Sequence, residues 1–103
     1  SPFLRNKINH YFPQKGIIKV RADSTVRFSF TTNASRKMDK VSVVSVRPSA
    51  GENERYQFDY DLQVDQEGKY FFDHHFIRTG YTSLIIYLNG EAVLIYNIYI
   101  SKV

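Results

Sequence analysis

The sequence predicts an all-β domain, an antiparallel sandwich of two sheets. Three observations lead there. No stretch keeps an apolar i, i+3, i+4, i+7 pattern between proper caps, so helices are not expected. Strand-like segments recur every ten to fifteen residues, bounded by turn chemistry. Aromatic content is 16%, all Phe and Tyr, which is too rich for a disordered chain. At 103 residues the chain is one domain of ordinary size, with enough core to fold without a metal or disulfide staple.

The elements follow in order. Residues 1–15 are irregular and read as an N-terminal linker or covering segment, and 16–103 as the domain proper. Gly16 opens a short strand at 17–20, and Ala22-Asp23-Ser24 turns the chain. Residues 25–31 alternate, with Val26, Phe28 and Phe30 on one face and Arg27 and Ser29 on the other. A polar loop, Asn33 to Lys37, leads to a third strand at 40–47 with valines on both faces. Pro48 to Asn53 is a loop by composition. Residues 55–64 read as one strand with Tyr56, Phe58, Tyr60, Leu62 and Val64 inward. The turn at 65–68 precedes a strand at 69–77. Strands at 81–88 and 91–100 are joined by Asn89-Gly90, a pair suited to the positive φ angles of a type I′ hairpin turn. Seven strands, short turns and no helix predict a seven-stranded antiparallel immunoglobulin-like β-sandwich, without the Cys–Trp–Cys hallmark of antibody domains.

One stretch carries a family resemblance. Gly68-Lys69-Tyr70-Phe71-Phe72 is followed by Thr79-Gly80-Tyr81-Thr82-Ser83-Leu84-Ile85-Ile86 and then a Gly90 hairpin. This resembles the glycine–aromatic rhythm of filamin-type repeats and other early-set immunoglobulin-like domains. It covers about the last third of the chain, and Phe76-Ile77-Arg78 stands where those repeats carry a proline before the second glycine. The resemblance implies an accessory module that binds or spaces, with Leu84 and Ile86 facing inward.

The last hairpin poses a covering problem. A two-residue loop sets Leu88 opposite Glu91, Ile86 opposite Val93 and Leu84 opposite Ile95. One face then carries Leu84, Ile86, Leu88, Val93 and Ile95, and the other Ile85, Tyr87, Leu94, Tyr96 and Ile98. Only one face can meet the core. Strand 40–47, expected to pair with 81–88, is also apolar on both sides. Strands 25–31 and 55–64 have polar outer faces and are expected together in one sheet, leaving the other sheet apolar outside. Such a patch marks an interaction site, with tyrosine favoured at its centre. Either the N-terminal segment (Phe3, Leu4, Ile8, Tyr11, Phe12), a homodimer partner or a neighbouring domain of a longer protein covers it, or it is a free surface for an external ligand.

Chemistry-bearing residues are few. There is no cysteine, which removes thiol, disulfide and Cys–zinc chemistry together without deciding the compartment. Asp73-His74-His75 invites a metal reading, but strand neighbours point to opposite faces, so only Asp73 and His75 share one. His74 is expected to be a hydrogen-bonded, partly buried histidine. Asp59 and Asp61 share an outer face as a solvated pair rather than a catalytic one, with no enclosing cleft in view. No nucleophile elbow and no phosphate-binding glycine loop occurs. Fourteen basic against ten acidic side chains give a mild excess with no basic run, so no nucleic-acid partner is expected. Asn89, Gly90 and Glu91 interrupt the long apolar segment, so no membrane insertion is expected either.

The expectation is therefore a non-catalytic module without cofactor or metal, belonging to a larger protein, with a secreted, periplasmic or cell-envelope setting favoured. Its partner is another protein, a neighbouring domain or a second copy. The expected contact residues are Ile85, Tyr87, Leu94, Tyr96 and Ile98, and Tyr87→Glu with Leu94→Glu is expected to break the contact without unfolding the domain. The alternative is a carbohydrate-binding accessory domain of a secreted or envelope enzyme, with Tyr87, Tyr96 and Tyr99 stacking on sugar rings.

Overall fold

A computed structural model describes residues 8–14, 16–33, 38–49 and 51–103. Phe3 and Leu4 of the expected covering segment, and most of the loop at 33–37, lie outside the described residues. Among the described residues nine strands build two sheets: β1 (Ile8–Phe12), β2 (Ile17–Arg21), β3 (Ser24–Thr32), β4 (Lys40–Arg47), β5 (Glu54–Asp61), β6 (Gln63–Val64), β7 (Tyr70–Phe76), β8 (Gly80–Leu88) and β9 (Glu91–Ser101). One sheet has the order β1-β3-β7-β6 and the other β2-β9-β8-β4-β5. All pairs are antiparallel except β2 with β9, which run parallel.

The chain is thus an all-β, two-sheet sandwich with more strands than the seven expected. The first difference is at the N-terminus. Ile8–Phe12, read as linker, is an edge strand on β3. It extends the four-stranded sheet and does not lie over the outer face of the other. The chain then crosses between sheets, and the Tyr96 hydroxyl donates to the Pro13 carbonyl at 2.7 Å across the crossing. The second difference is at 55–64. The chain leaves the five-stranded sheet after Asp61 and joins the four-stranded one at Gln63, with the Leu62 N–H donating to the Asp39 carbonyl at 2.8 Å. Strands β3 and β5 therefore belong to different sheets, not to one wet sheet.

The core lies between the sheets. Phe28, Phe30, Phe72 and Phe76 come from the four-stranded sheet, and Val41, Val43, Leu84, Ile86, Leu88, Leu94, Tyr96, Ile98 and Ile100 from the five-stranded one. Phe28 stacks on Phe72 with centroids 5.3 Å apart and meets the Tyr96 ring edge-on at 5.2 Å. Burial drives the Tyr96 hydroxyl pKa far up, so it stays protonated and can donate to Pro13.

The third difference decides which residues of the last hairpin face the core. The Asn89-Gly90 turn has positive φ at both residues (52° and 77°), and Leu88 does face Glu91. Tyr87 then faces Ala92, but Ile86 faces Leu94, so the register shifts by one and Val93 is the extra residue of a β-bulge. Beyond the bulge Leu84 pairs with Tyr96, not Ile95. The shift turns Leu94, Tyr96, Ile98 and Ile100 inward beside Leu84, Ile86 and Leu88. Ile95, Asn97 and Tyr99 turn outward beside Ile85, Ser83 and Tyr81.

Candidate interaction surface

The outer face of the five-stranded sheet is built from alternate residues of β2, β9, β8, β4 and β5. Its middle row runs Ile95, Ile85, Val44 and Gln57, each opposite the next across the ladder. The row above runs Ile17, Asn97, Ser83, Val46 and Arg55. The row below holds Ala92, Tyr87, Ser42 and Asp59. Ile95 is 54% exposed and Tyr81 65% exposed, while Ile85, Tyr87 and Val44 are half-buried by their neighbours. Tyr81 and Tyr99 meet at one end of the face, centroids 4.7 Å apart and tilted by 45°.

Polar groups rim this stripe. The Ser42 hydroxyl donates to Asp59 at 2.7 Å and the Gln57 amide donates to it at 3.1 Å; these two hydrogen bonds hold the Asp59 carboxyl below its ordinary pKa. Asp59 is thus an ordinary solvated carboxylate tied to its own sheet. Lys40 lies 3.7 Å from Asp61. Ser83 donates to the Asn97 side-chain oxygen at 3.2 Å within the face itself. A shallow depression of about 510 Å³ lies between Tyr87, Val44, Gln57 and Lys40.

The five expected contact residues divide. Ile85 and Tyr87 are on this outer face. Leu94, Tyr96 and Ile98 are buried in the core, because the bulge moves them to the other side. The residues that take their places outside are Ile95 and Tyr99, with Val44 from β4. Their signal was present in the sequence: Asn97 is the one strongly polar residue between Leu94 and Ile100, and it marks the odd-numbered positions of β9 as the wet set.

The four-stranded sheet has a polar outer face. Arg27 pairs with Asp73 through two hydrogen bonds, 2.9 and 3.1 Å, and lies 4.1 Å over the Phe71 ring. That bidentate pairing holds the Asp73 carboxyl below its ordinary pKa. His75 hydrogen-bonds Thr25 through Nδ1 and Asp23 through Nε2, both at 2.8 Å. Asp73 and His75 share this face, but each is engaged by protein groups. Among the described residues no three His, Cys, Asp or Glu side chains gather where one ion would sit. No described helix is long and apolar enough to cross a membrane.

His74 points the other way. It is buried, its Nδ1 lies 2.6 Å from the Tyr60 hydroxyl, and Phe58 and Phe76 meet its ring edge-on at 5.0 and 4.8 Å. Burial, and secondarily the neighbouring His75, lower its pKa from 6.5 to about 4. It lines a lateral cleft of about 250 Å³ between β5 and β7, with Tyr56, Phe58, Phe76, Ile77 and Arg78. Arg47 forms part of the cleft wall. It is buried, and its guanidinium donates to the Arg78 and Thr79 carbonyls at 3.0 and 2.6 Å, holding the turn before Gly80. Gly80 has φ of 109°, and an added Cβ would lie 3.8 Å from that guanidinium. At the mouth, Arg78 lies 3.5 Å from Glu54 and 3.0 Å from the Tyr56 hydroxyl, which itself donates to Glu54. Those hydrogen bonds, Tyr56 first, lower the Glu54 pKa.

No family model matches this chain, and no curated protein sequence matches it.

Proposed function

We propose that the chain is a non-catalytic immunoglobulin-like module whose contact surface is the outer face of the five-stranded sheet, used in self-association. The strand order supports the fold type. The order β1-β3-β7-β6 reproduces the ABED sheet of that fold and β9-β8-β4 its GFC sheet, with β5 added beside the C-type strand as in variable-type domains. The first strand is divided between the two sheets, and the filamin-type rhythm of residues 68–90 belongs to the same reading.

The observation that carries the function is the apolar row Ile95–Ile85–Val44 on an outer sheet face. The other sheet's outer face is polar and internally paired, so the contrast is local to one side. An apolar stripe with tyrosines at its end and polar groups on its rim has the layout of a protein interface. The contact residues are Ile85, Tyr87, Ile95 and Val44. The test is Ile85→Glu with Ile95→Glu, both directed outward. The double variant should melt cooperatively like the parent yet remain at the monomer mass of 12.1 kDa by light scattering, at concentrations where the parent is heavier. A variant that associates as the parent does would overturn the assignment.

The carbohydrate reading keeps one supporting feature, the pair of exposed Tyr81 and half-buried Tyr99 on this face, with Tyr87 at its opposite end. Tyr96 is no part of it, being in the core. The 45° tilt between the two rings presents no flat platform, which ranks this reading second.

A further inference from the structure

The lateral cleft adjoins an unfinished sheet edge. On one side β7 pairs with β3 along its whole length, from Tyr70 to Phe76. On the other side β6 reaches only Tyr70 and Phe71. From Phe72 to Phe76 that edge has no neighbouring strand among the described residues.

The alternation of the ladder tells which groups are open. The Asp65 N–H donates to the Lys69 carbonyl at 2.9 Å and Phe71 faces Gln63, so odd-numbered residues bond toward β6. The Phe76 carbonyl accepts from Asp23 N–H at 2.6 Å, on the β3 side. Asp73 and His75 therefore present their backbone N–H and C=O groups to the open edge. Their side chains lie on the outer face, tied to Arg27, Thr25 and Asp23. The intervening side chains, His74 and Phe76, point into the cleft. Across it stand Tyr56 and Phe58, 40% and 39% exposed, and Ile77 at its end is 69% exposed.

We propose that this edge is a second binding site, which takes an extended peptide segment of another protein by strand addition to β7. Two halves of one recognition mode meet here: unpaired main-chain groups spaced for a strand, and an apolar cleft for alternate side chains. The peptide would pair with Asp73 and His75 through its backbone. Its inward residues, apolar and two apart, would lie along the solvent side of the His74–Phe58 contact, against Tyr56, Phe58 and Ile77. Its outward residues would lie beside Asp73 and His75, in water, so polar residues suit them. Five open residues are too few to recruit a whole sheet, and the cleft supplies the selection that the backbone lacks. The site is separate from the outer face of the five-stranded sheet, and does not depend on it.

The test uses amide hydrogen exchange by NMR on the dilute protein. The probes are synthetic eight-residue peptides that alternate Val, Leu or Phe with Thr, Lys or Glu. Bound peptide should slow exchange of the Asp73 and His75 amides at least tenfold and shift the Phe58 and His74 ring signals. His75→Pro removes the open donor at an edge position where proline is tolerated, so it should fold and lose at least tenfold in peptide affinity. Phe58→Glu, at the exposed cleft mouth, should do the same and serves if the proline variant fails to fold. Failure of every peptide in the set to protect these amides overturns the proposal. So does equal peptide binding by a folded variant. Protection that appears on raising protein concentration without peptide would make a second copy the occupant, and would also overturn it.

Discussion

At the scale of single residues, burial decides what His74 does with protons. Its folded pKa of about 4 lies below the ordinary 6.5, so between those values the unfolded chain binds more protons than the folded one. Stability is full above pH 6.5 and falls as the pH drops towards 4, by up to about 3 kcal/mol from this group. Urea melts of the parent and of His74→Phe across that window check it: the variant should lose most of the slope. The carboxyls of Asp73, Asp59 and Glu54 are held low and act further down, losing their contribution only as pH falls through the carboxylate range. A sharper contrast separates two neighbours. Leu94→Glu puts a charge into the core and should cost more than about 3 kcal/mol, enough to threaten folding. Ile95→Glu, outward and 54% exposed, should change stability by under about 1 kcal/mol. Chemical denaturation of both variants measures the difference. The expected pair Tyr87→Glu with Leu94→Glu is therefore no clean probe of the surface. His74 itself was legible in the sequence as a hydrogen-bonded histidine near the core, because alternation separates it from Asp73 and His75; its partner Tyr60 was not, since the two lie on different sheets.

At the scale of elements, the last hairpin shows what alternation can and cannot establish. In β8 the even-numbered residues Leu84, Ile86 and Leu88 are inward, and in β9 the even-numbered Leu94, Tyr96, Ile98 and Ile100 are inward. The Asn89-Gly90 turn pairs Leu88 with Glu91, an even residue with an odd one. Two even-inward strands joined by that turn can share a core only if one residue is looped out, and Val93 is that residue. Ser83 and Asn97, directly paired and hydrogen-bonded outside, were the marks of the true register. The unbulged register read from the turn alone reverses the far part of β9. Deleting Val93 should convert the bulge to regular pairing without turning any core residue, at a cost of about 1 kcal/mol for its lost packing. Inserting one residue after Val93 should cost several times that, because it either loops out a second residue or slides the inward set Leu94–Ile100 by two residues along β8. Thermal melting of the two variants distinguishes them. Pattern and turn chemistry make seven strands legible in the sequence, whereas β1 is not, because INHYF carries no clean alternation. The break at Leu62 is not legible either, because RYQFDYDLQV alternates straight through the change of sheet. Periodicity reports which face is buried, and is silent on which sheet supplies the ladder.

At the scale of the whole molecule, the two sheets differ in what they show to water. The four-stranded sheet covers itself with Arg27–Asp73 and the Asp23–His75–Thr25 chain. The five-stranded sheet offers Ile95, Ile85 and Val44 in one row. That asymmetry was visible in the sequence as the two apolar sides of 40–47 and 81–88. The membership of the patch was not, because it depended on the bulge and on β5 joining this sheet rather than the other. The N-terminal strand, one of the expected covers, is spent on the opposite sheet. The most direct measurement is a dilution series followed through methyl NMR signals. If this face mediates self-association, the Ile85, Ile95 and Val44 methyls shift with concentration while Leu94 and Ile98, in the core, stay in place. Shifts confined to other residues, or none up to millimolar concentration, would contradict it.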